Sequence, residues 1–204
     1  MRFSKLIVFV LALCPVLWLL FRALTGRLGV NPIEDLTLTT GIWALRLLLL
    51  TLAITPIRRV TGWNEVIRYR RMLGLFAFFY ACIHLSIYLV LDQGLAFGFI
   101  LGDIAKRRYI TAGMVALTCM VPLAITSTKG WIRRLGRRWQ LLHRLIYVSG
   151  LAACLHFVWK VKVAIGEPVY YAAILLVLLG FRVLWRLRTS RMAHGKWKTV
   201  NVRS

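Results

Sequence analysis

Three histidines, His84, His143 and His156, stand inside apolar runs with no acidic residue beside them. A neutral imidazole presents one lone pair and one N–H. Leaving either unused in hydrocarbon costs several kcal/mol, so an intramembrane histidine marks a functional site by default. Proton relays and cation paths pair such histidines with Asp or Glu. Here Glu65, Asp92, Asp103 and Glu167 fall at or beyond the ends of the apolar runs. What remains is a set of neutral imidazoles in an apolar wall with arginines nearby. That is what a membrane-embedded haem with axial histidines requires, ligated from separate helices of a bundle.

The other candidate residues are quieter. His194 lies in a basic tail and reads as solvated. Cys14, Cys82, Cys119 and Cys154 each sit in an apolar run, with no C-x-x-C pair and no C-x-x-C-H, so covalent haem attachment is not implied. They read as small buried apolar residues. Met72 and Met120 fall at about the depth of His143 and read as packing residues.

The elements that must position the histidines are legible in composition. The chain has 204 residues, 60% of them hydrophobic, against about 45–50% for a soluble domain. Its mean hydropathy is +0.73. Apolar runs occur at 6–24, 41–57, 72–91, 109–126, 139–159 and 168–187, each near the ~20 residues of a spanning helix. The first lacks an A-x-A cleavage site and reads as a retained helix. The expected fold is all-α: a polytopic bundle of six transmembrane helices forming one domain over 1–190, with a basic cytoplasmic tail at 191–204. No internal repeat is expected.

A net charge of +22 raises the question of nucleic acid, but the distribution answers it. Arg2 and Lys5, then Arg58, Arg59, Arg68, Arg70 and Arg71, then Lys129, Arg133, Arg134, Arg137 and Arg138, and the tail from Arg186, lie in one set of connections. Only Arg22, Arg27, Lys106, Arg107, Arg108, Lys160 and Lys162 lie in the other. The richer set is cytoplasmic by the positive-inside rule, which puts both termini inside, explains most of the net charge and leaves little for nucleic acid to account for. Trp63, Trp131, Trp139, Trp159 and Trp185 fall near the span ends, as an interfacial belt does.

Depth then selects ligand pairs. His156 follows His143 by about 20 Å along a helix, and His84 lies about 18 Å from the inner end of its run. His84 and His156 therefore pair around a haem in the outer half, with His143 near the cytoplasmic face. A spacing of 13 residues turns His143 and His156 about 140° apart, so either the helix is distorted there or the two rings address different neighbours. Gln140, one turn before His143, is placed to orient its ring or touch a cofactor. Arg71, Arg138 and Arg144 crowd the inner end, placed to hold a haem propionate, a flavin phosphate or a quinone oxygen. Arg46, near the outer end of its run, either snorkels to the headgroups or pairs with a propionate.

The blocks RRMLGL at 70–75, TST at 126–128 and RRLGRRWQLLHRLIY at 133–147, with His156 thirteen residues after His143, resemble the MsrQ (YedZ) family. These are haem-binding membrane subunits of the protein-methionine-sulfoxide reductase system, within the ferric-reductase-like transmembrane group. The likeness covers almost the whole chain. It implies a b-type haem protein of the bacterial inner membrane carrying one or two haems, with FMN also associated. Electrons would come from the quinone pool or a cytosolic flavin reductase. They would pass to a periplasmic molybdopterin enzyme that reduces methionine sulfoxide in oxidised proteins. The family histidines fall on His84, His143 and His156. No G-x-G-x-x-G unit is present, so direct NADPH binding is not expected, and substrate reduction belongs to the partner. Two other readings compete: a ferric-reductase-like or quinol-oxidising cytochrome b subunit for another partner, and a small transporter or assembly scaffold without haem.

Overall fold

In hydrocarbon a backbone N–H must find its acceptor within the same segment, which leaves helices for an apolar chain of this kind. The computed structural model describes residues 2–161 and 166–201, with side chains described for 3–161 and 166–189. Its helices are α1 (Arg2–Leu24), α2 (Pro32–Thr61), α3 (Ile67–Ile87), α4 (Phe97–Lys106), α5 (Arg108–Ile125), α6 (Lys129–Leu135), α7 (Arg137–Leu142), α8 (Leu145–Lys160) and α9 (Glu167–Asn201). A 3₁₀ turn, Asn64–Val66, leads into α3, and a π-helical turn, Tyr88–Asp92, extends it. Among the described residues there is no strand. Six stretches are long and apolar enough to cross a membrane: Phe3–Leu24, Pro32–Thr61, Asn64–Asp92, Arg108–Ile125, Arg137–Lys160 and Glu167–Thr189. The chain is a multi-pass membrane protein. His194 and the side chains of the tail lie outside the described side chains.

The second and fifth spans, and the start of the third at Asn64 rather than 72, differ from the sequence expectation. The second begins at Pro32 rather than at 41. Asn31 caps it by accepting the Glu34 N–H at 3.3 Å, with Pro32 in the first turn. In the polar stretch that follows, Thr37 and Thr40 satisfy their hydroxyls within the helix by donating to the Ile33 and Leu36 carbonyls, at 2.7 and 2.8 Å. The fifth is two helices, α7 and α8, interrupted by a turn at His143 and Arg144.

Prolines supply the bundle with polar ties. In a straight helix the Val16 N–H would bond the Ala12 carbonyl. Beside Pro15 the buried Tyr80 hydroxyl bridges them, accepting from Val16 at 3.0 Å and donating to Ala12 at 2.9 Å. Pro56 has no N–H to offer the Leu52 carbonyl, and Arg182 of α9 donates a guanidinium N–H to it instead. Small residues bring the central helices close. Gly150 packs on Leu52 and Leu175, and Ser149 donates to the Ala116 carbonyl at 3.0 Å. The core runs through Leu45, Leu48, Leu52, Tyr80, Met120 and Leu175. Met120 is thus a packing residue, as expected.

The closest helix pairings are α2 with α3 and α5 with α8. These two pairs are copies of one pattern, contrary to the expectation of no repeat. T-x-G-x-x-A-L stands at 39–45 and again at 111–117, L-A-I-T at 52–55 and 123–126, and A-C-x-H at 81–84 and 153–156. The matching blocks are short and separated by residues that differ, which hides the duplication from inspection.

Candidate functional site

The duplicated pattern brings His84 of α3 and His156 of α8 together, ring edge toward ring. Their ring centroids are 5.9 Å apart and their planes stand at 87°. The depth argument selected this pair, and the fold does bring the two together.

Each ring is held in the same way. His84 Nδ1 donates to the Thr37 carbonyl at 2.9 Å, and His156 Nδ1 donates to the Tyr109 carbonyl at 2.6 Å. In both cases the acceptor lies 47 residues earlier, on the helix paired with that of the histidine. With the proton fixed on Nδ1, the lone pair is on Nε2. The approach is allowed by two glycines, each four residues beyond the carbonyl. A Cβ on Gly41 would meet His84 Nδ1 and Cε1 at 3.0 Å, and one on Gly113 would meet His156 Nδ1 at 2.8 Å. Sequence reasoning named neither these glycines nor the carbonyls of Thr37 and Tyr109. The repeated T-x-G and A-C-x-H blocks were a signal that could have found the glycines, though not the carbonyls.

The arrangement suits one metal ion between the rings. Two imidazole–metal bonds of about 2.1 Å, with about 1.1 Å from each nitrogen to its ring centre, put the centroids about 6.4 Å apart, half an ångström beyond the 5.9 Å seen here. The donor set is two neutral nitrogens; among the described residues no cluster of three or more His, Cys, Asp or Glu forms. That fits a haem, whose porphyrin supplies the other four ligands. The Tyr88–Asp92 π-turn begins one turn after His84, and the Tyr88 N–H is shared between the His84 and Leu85 carbonyls. Such π-turns recur at functional sites.

His143 sits apart, at the α7–α8 break, so the helix is distorted there and the ideal 13-residue rotation does not apply. Its Nδ1 donates to the Trp139 carbonyl at 3.1 Å and its ring stacks on the Trp139 indole at 3.8 Å. Trp139 is itself pinned by its indole N–H to the Thr126 carbonyl at 3.0 Å. Trp139 thus holds the His143 ring; Gln140 is exposed. The neighbouring cations also differ from expectation. Arg71 is exposed and lines an apolar groove of α1 and α3 with Lys5, Phe9, Met72 and Phe79. Arg144 is exposed. Half-buried Arg70 instead lies within electrostatic reach of both His143 and Arg182, and Arg182 lies over the Tyr147 ring at 5.4 Å. The exchange of Arg70 for Arg71 is a matter of helix phase, since neighbouring residues point about 100° apart.

Arg46 is nearer mid-membrane than its run suggested. With α2 starting at Pro32, it lies about 21 Å from that end. Its Nε donates to the Tyr171 hydroxyl at 2.7 Å, and the guanidinium rests against the Trp43 and Tyr171 rings at 5.2 and 5.9 Å. It does not snorkel; it is satisfied within the bundle.

Comparisons with known proteins show what the chain is similar to. Residues 40–154 match the family described as "Ferric reductase like transmembrane component". The chain is 50% identical over 202 residues to the protein-methionine-sulfoxide reductase heme-binding subunit MsrQ of Xanthomonas axonopodis pv. citri, covering 96% of this chain and 92% of the relative. The corresponding protein of Xanthomonas campestris pv. campestris is 54% identical over 174 residues, covering 85% and 80%. That of Ralstonia nicotianae is 50% identical over 194 residues, covering 94% and 89%. No solved structure matches.

Proposed function

This chain belongs to the MsrQ family of heme-binding subunits, within the ferric-reductase-like transmembrane components, and from that premise we propose that it is a transmembrane electron-transfer subunit in which His84 and His156 hold a b-type haem between them. A haem bound there supplies reversible one-electron chemistry. The chain's part is to fix the ligands. The Thr37 and Tyr109 carbonyls keep each lone pair on Nε2, and Gly41 and Gly113 let each ring seat against the neighbouring helix. The observation that carries this reading is the 5.9 Å approach of two imidazoles, each anchored in the same way.

Basic residues set the orientation. The face with Lys5, Arg58, Arg68 and Arg133 is cytoplasmic, and both termini lie there. The donor, quinol or a cytosolic flavin reductase, is met on the His143 side, where Arg70 and Arg182 supply positive charge for an anionic group. The acceptor is a periplasmic molybdopterin enzyme that reduces methionine sulfoxide in proteins. Residues 1–190 act as one membrane domain, with 191–204 as its basic tail. Histidine replacement tests the assignment. His84→Ala and His156→Ala, purified with ample haem supply, should each lose most of the Soret absorption and stop electron delivery to the partner. Full haem content in either variant would sink the ligand pairing.

A further inference from the structure

The face nearest His84 and His156 carries basic side chains that orientation does not explain. Lys106, Arg107 and Arg108 follow one another between α4 and α5, and Lys160 closes α8 one turn after His156; all are exposed. Basic residues in short connections disfavour translocation, so on the translocated side these oppose the signal that orients the chain. Acidic neutralisation is slight: Asp103 pairs with Arg107 at 3.1 Å, while Lys106, Arg108 and Lys160 form no ion pair among the described residues.

Two of these cations contact Tyr109. Arg107 donates to the Tyr109 hydroxyl at 3.2 Å, and the Lys160 ammonium lies 5.7 Å above its ring. Tyr109 also provides the carbonyl that anchors His156, and the two rings are 5.9 Å apart. A single residue thus separates the imidazole pair from a cationic rim. Electron tunnelling weakens steeply with distance, so an acceptor seated here would be at the shortest exit from the pair.

We propose that Lys160, over the Tyr109 ring, and Lys106 and Arg108, exposed in the connection that leads to Tyr109, form the docking surface for the electron acceptor, and that the acceptor presents a carboxylate-rich face to it. The assignment rests on the electron-transfer reading above. Arg107 is held by Asp103 and Tyr109 and shapes the rim rather than binding. Charge complementarity of this kind acts on encounter and is screened by salt.

The test uses the full haem-loaded chain in detergent and its cognate methionine-sulfoxide reductase catalytic subunit, with binding measured by surface plasmon resonance at low and high salt. The triple variant Lys106→Glu/Arg108→Glu/Lys160→Glu removes positive charge from the translocated side, so it strengthens the orientation signal. The unaltered chain should bind at least about tenfold more weakly at 0.5 M than at ~0.02 M salt. The triple variant should bind about tenfold more weakly at low salt, with little further salt dependence. Arg133→Gln/Arg134→Gln, on the opposite face, should bind as the unaltered chain does. Equal low-salt affinities for the unaltered chain and triple variant would overturn the docking surface. So would loss of haem absorption from the triple variant with unchanged binding, which would turn the rim toward the cofactor. If the unaltered chain binds no catalytic subunit at either salt, the electron-transfer reading itself fails.

Discussion

Replacing Gly113 or Gly41 by alanine probes the ligand geometry without touching a ligand. An added methyl at 113 would lie 2.8 Å from His156 Nδ1, and one at 41 would lie 3.0 Å from His84 Nδ1. Carbon contacts are comfortable at about 3.5–4.0 Å, so each ring must retreat by roughly 0.5–1 Å. The 2.6 Å bond to Tyr109 and the 2.9 Å bond to Thr37 would then stretch to or beyond the ~3.2 Å limit of a good hydrogen bond. Losing such a bond behind a metal ligand typically costs about 10–100-fold in affinity, or ~1.4–2.7 kcal/mol. The helix itself gains from alanine, by up to ~1 kcal/mol, so weakened haem binding cannot be blamed on a weakened helix. Haem titration into apo-protein measures the affinity, low-spin electron paramagnetic resonance reports the angle between the ring planes, and circular dichroism checks the fold. Gly113→Ala should lose more affinity than Gly41→Ala, because its contact is tighter, and both should change the resonance signal. Haem affinity and signal unchanged in both alanine variants, with helicity intact, would refute the cradle.

Further tests reach the rest of the bundle. His143→Ala should keep the spectrum of the His84–His156 site while slowing reduction by quinol, and Trp139→Leu should do the same more mildly; if His143→Ala empties every site, the separation of the two levels is wrong. Arg182→Met should lower stability by about 1–3 kcal/mol by orphaning the Leu52 carbonyl, and adding Pro56→Ala should recover part of that loss by restoring an N–H to it, as thermal unfolding in detergent would show. Arg46→Gln should lower the haem midpoint potential by removing a nearby cation, with Arg46→Lys changing it less; redox titration checks this, and equal potentials would confine Arg46 to its contact with Tyr171.

Much of this was written in the chain itself. Apolar run lengths fixed six crossings, because a bilayer of set thickness demands a set number of residues at 1.5 Å each. The same rise placed His84 and His156 at one depth and His143 at another, since depth along a straight helix depends on sequence position alone. Azimuth and local breaks depend on neighbours, and there sequence reasoning stopped. It favoured Arg71, which is exposed, where half-buried Arg70 lies within electrostatic reach of His143, and Gln140 where Trp139 holds the ring. It placed Arg46 near a membrane surface because the cap at Asn31 that lengthens α2 was not recognised. Only the tertiary structure could show that the Thr37 and Tyr109 carbonyls anchor the imidazoles over two bare glycines. Those contacts join residues 47 apart, and only the packing of two helices against each other brings such residues within hydrogen-bonding distance.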